Sequence, residues 1–206
     1  SRIIKPLEKF GAKIKSNKGK LPLLIEGTQK IKSINYVENL GSAQCKSTVM
    51  IAGLKALGKT KLKCLPSRNH TELMFKNILK IPIKFKKDKK YENIEFFGGK
   101  EFKSFNYHVP GDISSAAFFL VLTLLSKKQF LTIKNVNINP SRTGIIKILN
   151  MMGAKIKFFN KKNYRGELIA DIYVESERNL KAIKLNPLLN SSAIDEFLLI
   201  FLVASK

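Results

Sequence analysis

A short pattern recurs along this chain and restricts the folds open to it. Phe10-Gly11-Ala12-Lys13-Ile14-Lys15 returns as Met152-Gly153-Ala154-Lys155-Ile156-Lys157, with a looser copy, Lys80-Ile81-Pro82-Ile83-Lys84-Phe85, between them. A spacing of about 70 residues is too long for a solenoid and suits a six-element α/β unit. Apolar periodicity and turn residues in the best-covered copy predict a strand at 34–37, a helix at 42–57, a strand at 61–65, a helix at 71–79 and paired strands at 83–87 and 93–97. The next copy predicts a strand at 105–109, helix 113–126, strand 130–136, helix 144–152 and strands 155–159 and 171–175. A helix and two strands precede residue 33, and a strand and a helix at 194–205 follow residue 184. The building block is β-α-β-α-β-β, and the fold class is α/β.

Composition sets further bounds. With 44% hydrophobic and 26% charged residues, the chain has the make-up of a globular protein. Cys45 and Cys64 form no disulfide framework, which points to a reducing compartment and a cytoplasmic location. In the first turn of a helix Cys45 could have a lowered pKa, but a buried inert thiol is the plainer expectation. The apolar runs 116–125 and 197–204 are too short to span a bilayer, so no membrane partner is expected. The chain starts without Met inside a helical pattern and stops inside another, so we expect a piece of a longer protein.

The net charge of +23 raises the question of nucleic acid. Only five of the basic residues are Arg, and the lysines are scattered over every segment without an aromatic platform between them. No nucleic-acid partner is expected; the charge can still steer small anions.

Polar corners open the predicted helices. Ser42 stands as an N-cap before Ala43, Gln44 and Cys45, where unpaired N–H groups and the helix dipole suit an anion. Gln44 adds a neutral donor and acceptor, and Lys46 a mobile positive charge. Asn69 and Glu72 have capping-box spacing, Asp112 precedes another helix, 139–144 leads into the next, and Ser192 and Asp195 are again three apart. Singly, each corner is an ordinary helix start.

Together they carry a resemblance. Gly-Ser-Ala-Gln-x-Lys-Ser at 41–47, Ser-Arg-Asn-His-Thr-Glu at 67–72 and Pro-Gly-Asp-x-Ser-Ser-Ala-Ala at 110–117 follow in order. Asn-Pro-Ser-Arg-Thr-Gly at 139–144, Met-Gly-Ala at 152–154 and Ile-Asp-Glu-Phe at 194–197 complete the series. The chain resembles, over essentially its whole length, the 5-enolpyruvylshikimate-3-phosphate synthases of the bacterial type with Ser-Ala-Gln. The resemblance implies a two-domain, inside-out α/β barrel fold closing over its substrates, with residues 1–108 part of the first domain and 109–206 part of the second. It implies transfer of the enolpyruvyl group of phosphoenolpyruvate to the 5-hydroxyl of shikimate 3-phosphate, by addition and elimination through a tetrahedral ketal.

Neither a metal nor an organic cofactor is implied, and the complete protein would be a monomer. Ser42 and Ala43 would hold shikimate 3-phosphate, Gln44 would sit against both substrates, and Arg68 would fork onto the phosphate. Asp195 would bind substrate and accept the proton of the attacking hydroxyl. A helix first turn makes a carboxylate a poor base, whereas loss of water on closure works the other way. His70 and Lys46 carry no assigned role.

Departures from the family pattern accompany this. Most phosphoenolpyruvate-binding motifs would lie upstream of Ser1 or downstream of Lys206, so the chain alone is expected to be inactive and at best a weak binder of shikimate 3-phosphate. Leu198-Leu199 stands where the family has Pro after Ile-Asp-Glu-Phe. Two alternatives remain: enolpyruvyl transfer to a UDP-sugar, whose site the motifs at 42–44 and 67–72 do not resemble, and a basic nucleic-acid-binding module.

Overall fold

The computed structural model describes residues 2–206, apart from the side chain of Leu188. The chain divides into two compact units, Ser1–Phe105 and Asn106–Lys206.

The repeated hexamer is a helix stop. Helix α1 (Ile4–Lys9) ends at Gly11, with φ +107°, and helix α5 (Gly144–Met151) at Gly153, with φ +103°. The amide of Ala12 reaches back to the Leu7 carbonyl at 3.1 Å, and that of Ala154 to the Leu149 carbonyl at 3.0 Å. Gly11 and Gly153 bond to Glu8 and Asn150 at 3.0 and 3.1 Å, which completes a Schellman motif in each copy. A strand follows at once, β1 (Lys13–Asn17) in one case and β8 (Lys157–Tyr164) in the other. In the loose copy Lys80 takes the left-handed conformation, φ +54°, and the Ile81 amide bonds to Phe75 O, one residue farther back.

In the first unit, β1 pairs antiparallel with β2 (Lys20–Glu26). Then come β3 (Asn35–Glu38), α2 (Ala43–Gly53), β4 (Lys59–Cys64), α3 (His70–Asn77), β5 (Ile83–Lys87) and β6 (Glu92–Phe97). They build a sheet in the order β3-β4-β6-β5, with β3 and β4 parallel and the other neighbours antiparallel. Strand β4 alternates strictly: Thr60, Leu62 and Cys64 face the core, and Lys59, Lys61 and Lys63 face out. Many of the scattered lysines are thus the outer face of an amphipathic sheet. Val49 and Met50 of α2 pack with Phe75 and Phe96, whose rings meet edge to face at 5.4 Å. Helix α2 stops at Gly53, four residues earlier than periodicity predicts. A Cβ there would meet the Phe96 ring at 2.7 Å, so only glycine lets the helix end lie on that ring.

The second unit holds α4 (Ile113–Leu125), β7 (Phe130–Asn137), α5, β8, β9 (Glu167–Glu175), α6 (Asn190–Ala193) and α7 (Phe197–Ala204). Its sheet, β7-β9-β8, is antiparallel. The Asp171 carboxylate ties two irregularities together: it accepts from the Asn135 amide at 2.9 Å and from Asn160 Nδ2 at 2.8 Å. Both asparagines are left-handed, and both sit where the flanking strands slip register. Two expected strands are absent. Residues 105–109 form no strand: they pair with no ladder, Pro110 after them offers no donor, and the chain first meets β7 at an isolated bridge between Gly111 and Val136. The stretch after residue 184 forms a 3₁₀ turn at Pro187–Leu189 instead of a strand. The helix expected at 194–205 is broken, with Ile194–Glu196 as a 3₁₀ turn before α7, so Asp195 is not in an α-helical first turn.

Helices α4 and α7 bury one face and leave Phe118, Phe119, Leu122, Leu198, Phe201 and Leu202 exposed on the other. Among the described residues, no helix is long and apolar enough to cross a membrane.

Candidate active-site segments

Two loops leave the carboxyl ends of the parallel neighbours β3 and β4; the first ends at Ser42 and leads into Ala43 and Gln44 at the start of α2, and the second carries Arg68. Ser42 caps α2 with extended backbone, φ −88° and ψ 111°, and its Oγ accepts from the Cys45 amide at 3.3 Å. Its hydroxyl hydrogen remains a donor. The other loop, carrying Arg68, begins beside it: the Leu65 amide donates to the Glu38 carbonyl at 3.2 Å.

The helix start is partly filled by an anion of the protein's own. Glu38, only 2% exposed, accepts from the amides of Leu40, Gly41 and Ser42 at 2.7, 3.0 and 3.2 Å. These bonds shape the Gly41-Ser42 corner and take three donors out of play. With Cys45 N–H on Ser42 Oγ, the first-turn amides that lack intrahelical partners are those of Ala43 and Gln44. Ala43 is half-buried and Gln44 exposed. Glu38 was not foreseen, because nothing in its spacing distinguishes it from a strand-end acid on the surface.

Lys46 is not the mobile charge its motif predicts. Its side chain is wholly buried, with Nζ 2.6 Å from Glu72 Oε1, 3.7 Å from Glu92 Oε2 and 3.4 Å from the Ser67 carbonyl. Glu72 therefore makes no capping box with Asn69, whose side chain does not cap α3. Cys45 is buried too, and burial pushes its thiol above the ordinary range, against a smaller lowering by the Tyr36 hydrogen bond. Burial also leads in raising Tyr36 to about 12. The inert-thiol expectation for Cys45 fits.

Asp195 lies in the second unit, in an ion-pair cluster whose other members were not assigned roles. Asn139 fixes the turn that presents Arg142: its Oδ1 accepts from the Ser141 amide and hydroxyl at 3.0 and 2.8 Å, and its carbonyl from the Arg142 amide at 2.8 Å. The guanidinium, 12% exposed, reaches Asp195 Oδ2 through Nη1 at 2.8 Å and Asp112 Oδ1 through Nη2 at 3.3 Å. Nη2 also donates to Ser114 Oγ, and that hydroxyl donates to the buried carboxylate of Glu196. Arg142 thus joins the start of α4, the 139–143 loop and the turn bearing Asp195. The Asn-Pro-Ser-Arg motif was the available signal, but its long-range partners are not written in local spacing.

Asp112 also caps α4, with Oδ2 accepting from the Ser115 amide at 2.9 Å. Burial, its largest influence, would raise its pKa, but the Ser115 amide and hydroxyl, Arg142 and Ser114 together hold it below the ordinary value. A depressed folded-state pKa gives stability that is present above the unfolded value of about 3.9 and lost as pH falls through the folded value. Asp112→Asn keeps a good cap and removes the charge. We expect the variant to be less stable than the parent at pH 6, with the gap closing as pH falls below about 4 in urea-unfolding curves. Because the carboxylate is half exposed, the gap should be no more than about 1 kcal/mol. A gap independent of pH would contradict this.

Among the described residues, no group of three or more His, Cys, Asp or Glu is placed to hold a metal ion. Ser42, Ala43, Gln44 and Arg68 belong to the first unit and Asp195 to the second.

Comparison with known proteins adds to this geometry. The chain is 46% identical over 205 residues to the 3-phosphoshikimate 1-carboxyvinyltransferase of Ruthia magnifica subsp. Calyptogena magnifica, covering 99% of this chain and 46% of that protein. The protein of that name from Legionella pneumophila (strain Corby) is 40% identical, with the same coverage. The chain spans about half the length of the curated relatives it matches. Among solved structures, EPSP synthase from Acinetobacter baumannii superposes with a TM-score of 0.80 at 39% identity, over 98% of this chain and 45% of that one. The enolpyruvyl transferase NikO from Streptomyces tendae shares the fold, with a TM-score of 0.64 at 11% identity, over 85% of this chain and 42% of its own. The profile of the family described as EPSP synthase (3-phosphoshikimate 1-carboxyvinyltransferase) matches residues 1–205, and the chain belongs to that family.

Proposed function

We propose that this chain supplies part of an enolpyruvyl transferase that joins phosphoenolpyruvate to the 5-hydroxyl of shikimate 3-phosphate and releases phosphate. The observation that carries the reading is the helix start at Ser42. Its hydroxyl and the Ala43 and Gln44 amides are donors beside the Arg68 loop, at the carboxyl ends of parallel strands, in a chain of this family. Ser42 and Ala43 bind the hydroxylated ring acid, Arg68 forks onto its phosphate, and the Gln44 amide serves both substrates.

Asp195 accepts the hydroxyl proton as that oxygen attacks the enol carbon of phosphoenolpyruvate. As the new C–O bond forms, the enol C=C π bond opens and its methylene carbon takes up a proton, giving a ketal. Loss of a proton from the resulting methyl group with cleavage of the C–O bond to phosphate restores the C=C bond and completes the exchange. Arg142, on Oδ2, orients the carboxylate for this step. Asp195 is thus the proposed catalytic residue, and residues 1–108 and 109–206 are assigned to the first and second domains. The exposed apolar faces of α4 and α7 fit a domain built from more units than the chain contains. The free, buried Cys45 and Cys64 fit a cytoplasmic enzyme.

The test is a hybrid in which this chain replaces the matched 46% of the Ruthia magnifica relative. It should release phosphate from phosphoenolpyruvate only when shikimate 3-phosphate is present. A folded hybrid that stays silent with that acceptor and turns over with a UDP-sugar would replace this reading with the other.

A further inference from the structure

Lys46 and the residue after it strap two loops together. Its ammonium sits on the carbonyl of Ser67, next to Arg68, and on Glu72 in the first turn of α3, while its backbone amide bonds to Ser42 O at 3.0 Å. Ser47 Oγ and Thr71 Oγ1, 2.7 Å apart, make a second tie between the same helix starts. The ammonium is wholly buried and held by Glu72 and Glu92, so it cannot itself contact a ligand. Burying a charge in this way is costly unless its partners are fixed, and fixed partners define a geometry.

We propose that Lys46 is a positioning residue: it holds the Ser67-Arg68 segment in register with the Ser42-Ala43-Gln44 helix start, so that ring and phosphate of one phosphorylated polyol acid are recognised together. The inference rests on the function proposed above and deepens it. Without the buried ammonium the helix start keeps its cap from Ser42 and its Glu38 brace, since neither bond involves Lys46. What loosens is the Arg68 arm, and with it the preference for the phosphorylated acid over its phosphate-free form.

The experiment titrates the ¹⁵N-labelled chain with shikimate 3-phosphate and, separately, with shikimate. The parent should prefer the phosphorylated acid by about tenfold or more, the worth of one charge-assisted contact. The Gln44 and Arg68 amides should saturate together. In Lys46→Met/Glu72→Gln/Glu92→Gln, which removes the buried charges jointly, the preference should fall by about tenfold and Arg68 should cease to respond while Gln44 still does. Glu72→Gln alone keeps the shape and should give an intermediate fall. If the triple variant does not fold, Glu72→Gln decides the matter. A folded variant with the parent's preference, and Gln44 and Arg68 still saturating together, would leave Lys46 a structural residue only. A parent that binds neither acid removes the underlying function and this inference with it.

Discussion

Asp195→Ala in the hybrid enzyme is expected to lower turnover by about 10²–10⁴-fold, the contribution typical of a positioned general base. Affinity for shikimate 3-phosphate should stay within about twofold, because the loss falls on a step made in the transition state. Asp195→Asn should lose as much as Asp195→Ala. The amide oxygen can still accept from Arg142 Nη1, now 2.8 Å from Oδ2, but it cannot take the proton. The pair of variants therefore separates proton transfer from the ion pair. Turnover restored in Asp195→Asn would assign the residue to orientation alone, and near-normal turnover in Asp195→Ala would remove it from the chemistry.

Gly144→Ala is expected to destabilise the second unit by about 3 kcal/mol, the upper end of the range for overpacking. A Cβ at Gly144 would stand 2.6 Å from the Ser192 carbonyl carbon and 2.7 Å from its oxygen, and backbone cannot step aside as a side-chain tip can. Gly144 follows the Arg142-Thr143 turn, and Ser192 lies three residues before Asp195. The same clash should therefore part Arg142 from Asp195 and cut turnover along with stability. Urea unfolding of the chain reads the first effect, and the hybrid reads the second. An unchanged midpoint would contradict the close seating of α6 on α5.

What the sequence disclosed and what it hid divide along a physical line. The hexamer repeat was legible because a helix stop is local: a left-handed Gly11 or Gly153 and the amide after it complete the motif within six residues. The caps at Ser42 and Asp112 are equally short-range, and the structure has them. Pairings across tens of residues were not legible. Glu72 has the spacing of a capping residue, but Lys46 claims it. Lys46 looks like a surface cation and is buried, while Arg142 meets Asp112 and Asp195 only after the unit has folded. The strand expected at 105–109 had the right residue types but lacks a ladder to join.

In the proposed function the helix start at Ser42 and the neighbouring Arg68 loop form one acceptor site. Amide shifts of the labelled chain, followed as shikimate 3-phosphate is added, address that directly. Ser42, Ala43, Gln44 and Arg68 should move on a single saturation curve that Ser42→Ala weakens. Shifts spread over the exposed lysines of β4 and β5 with no response at those four positions, and suppressed alike by added salt, would rule out an acceptor site there.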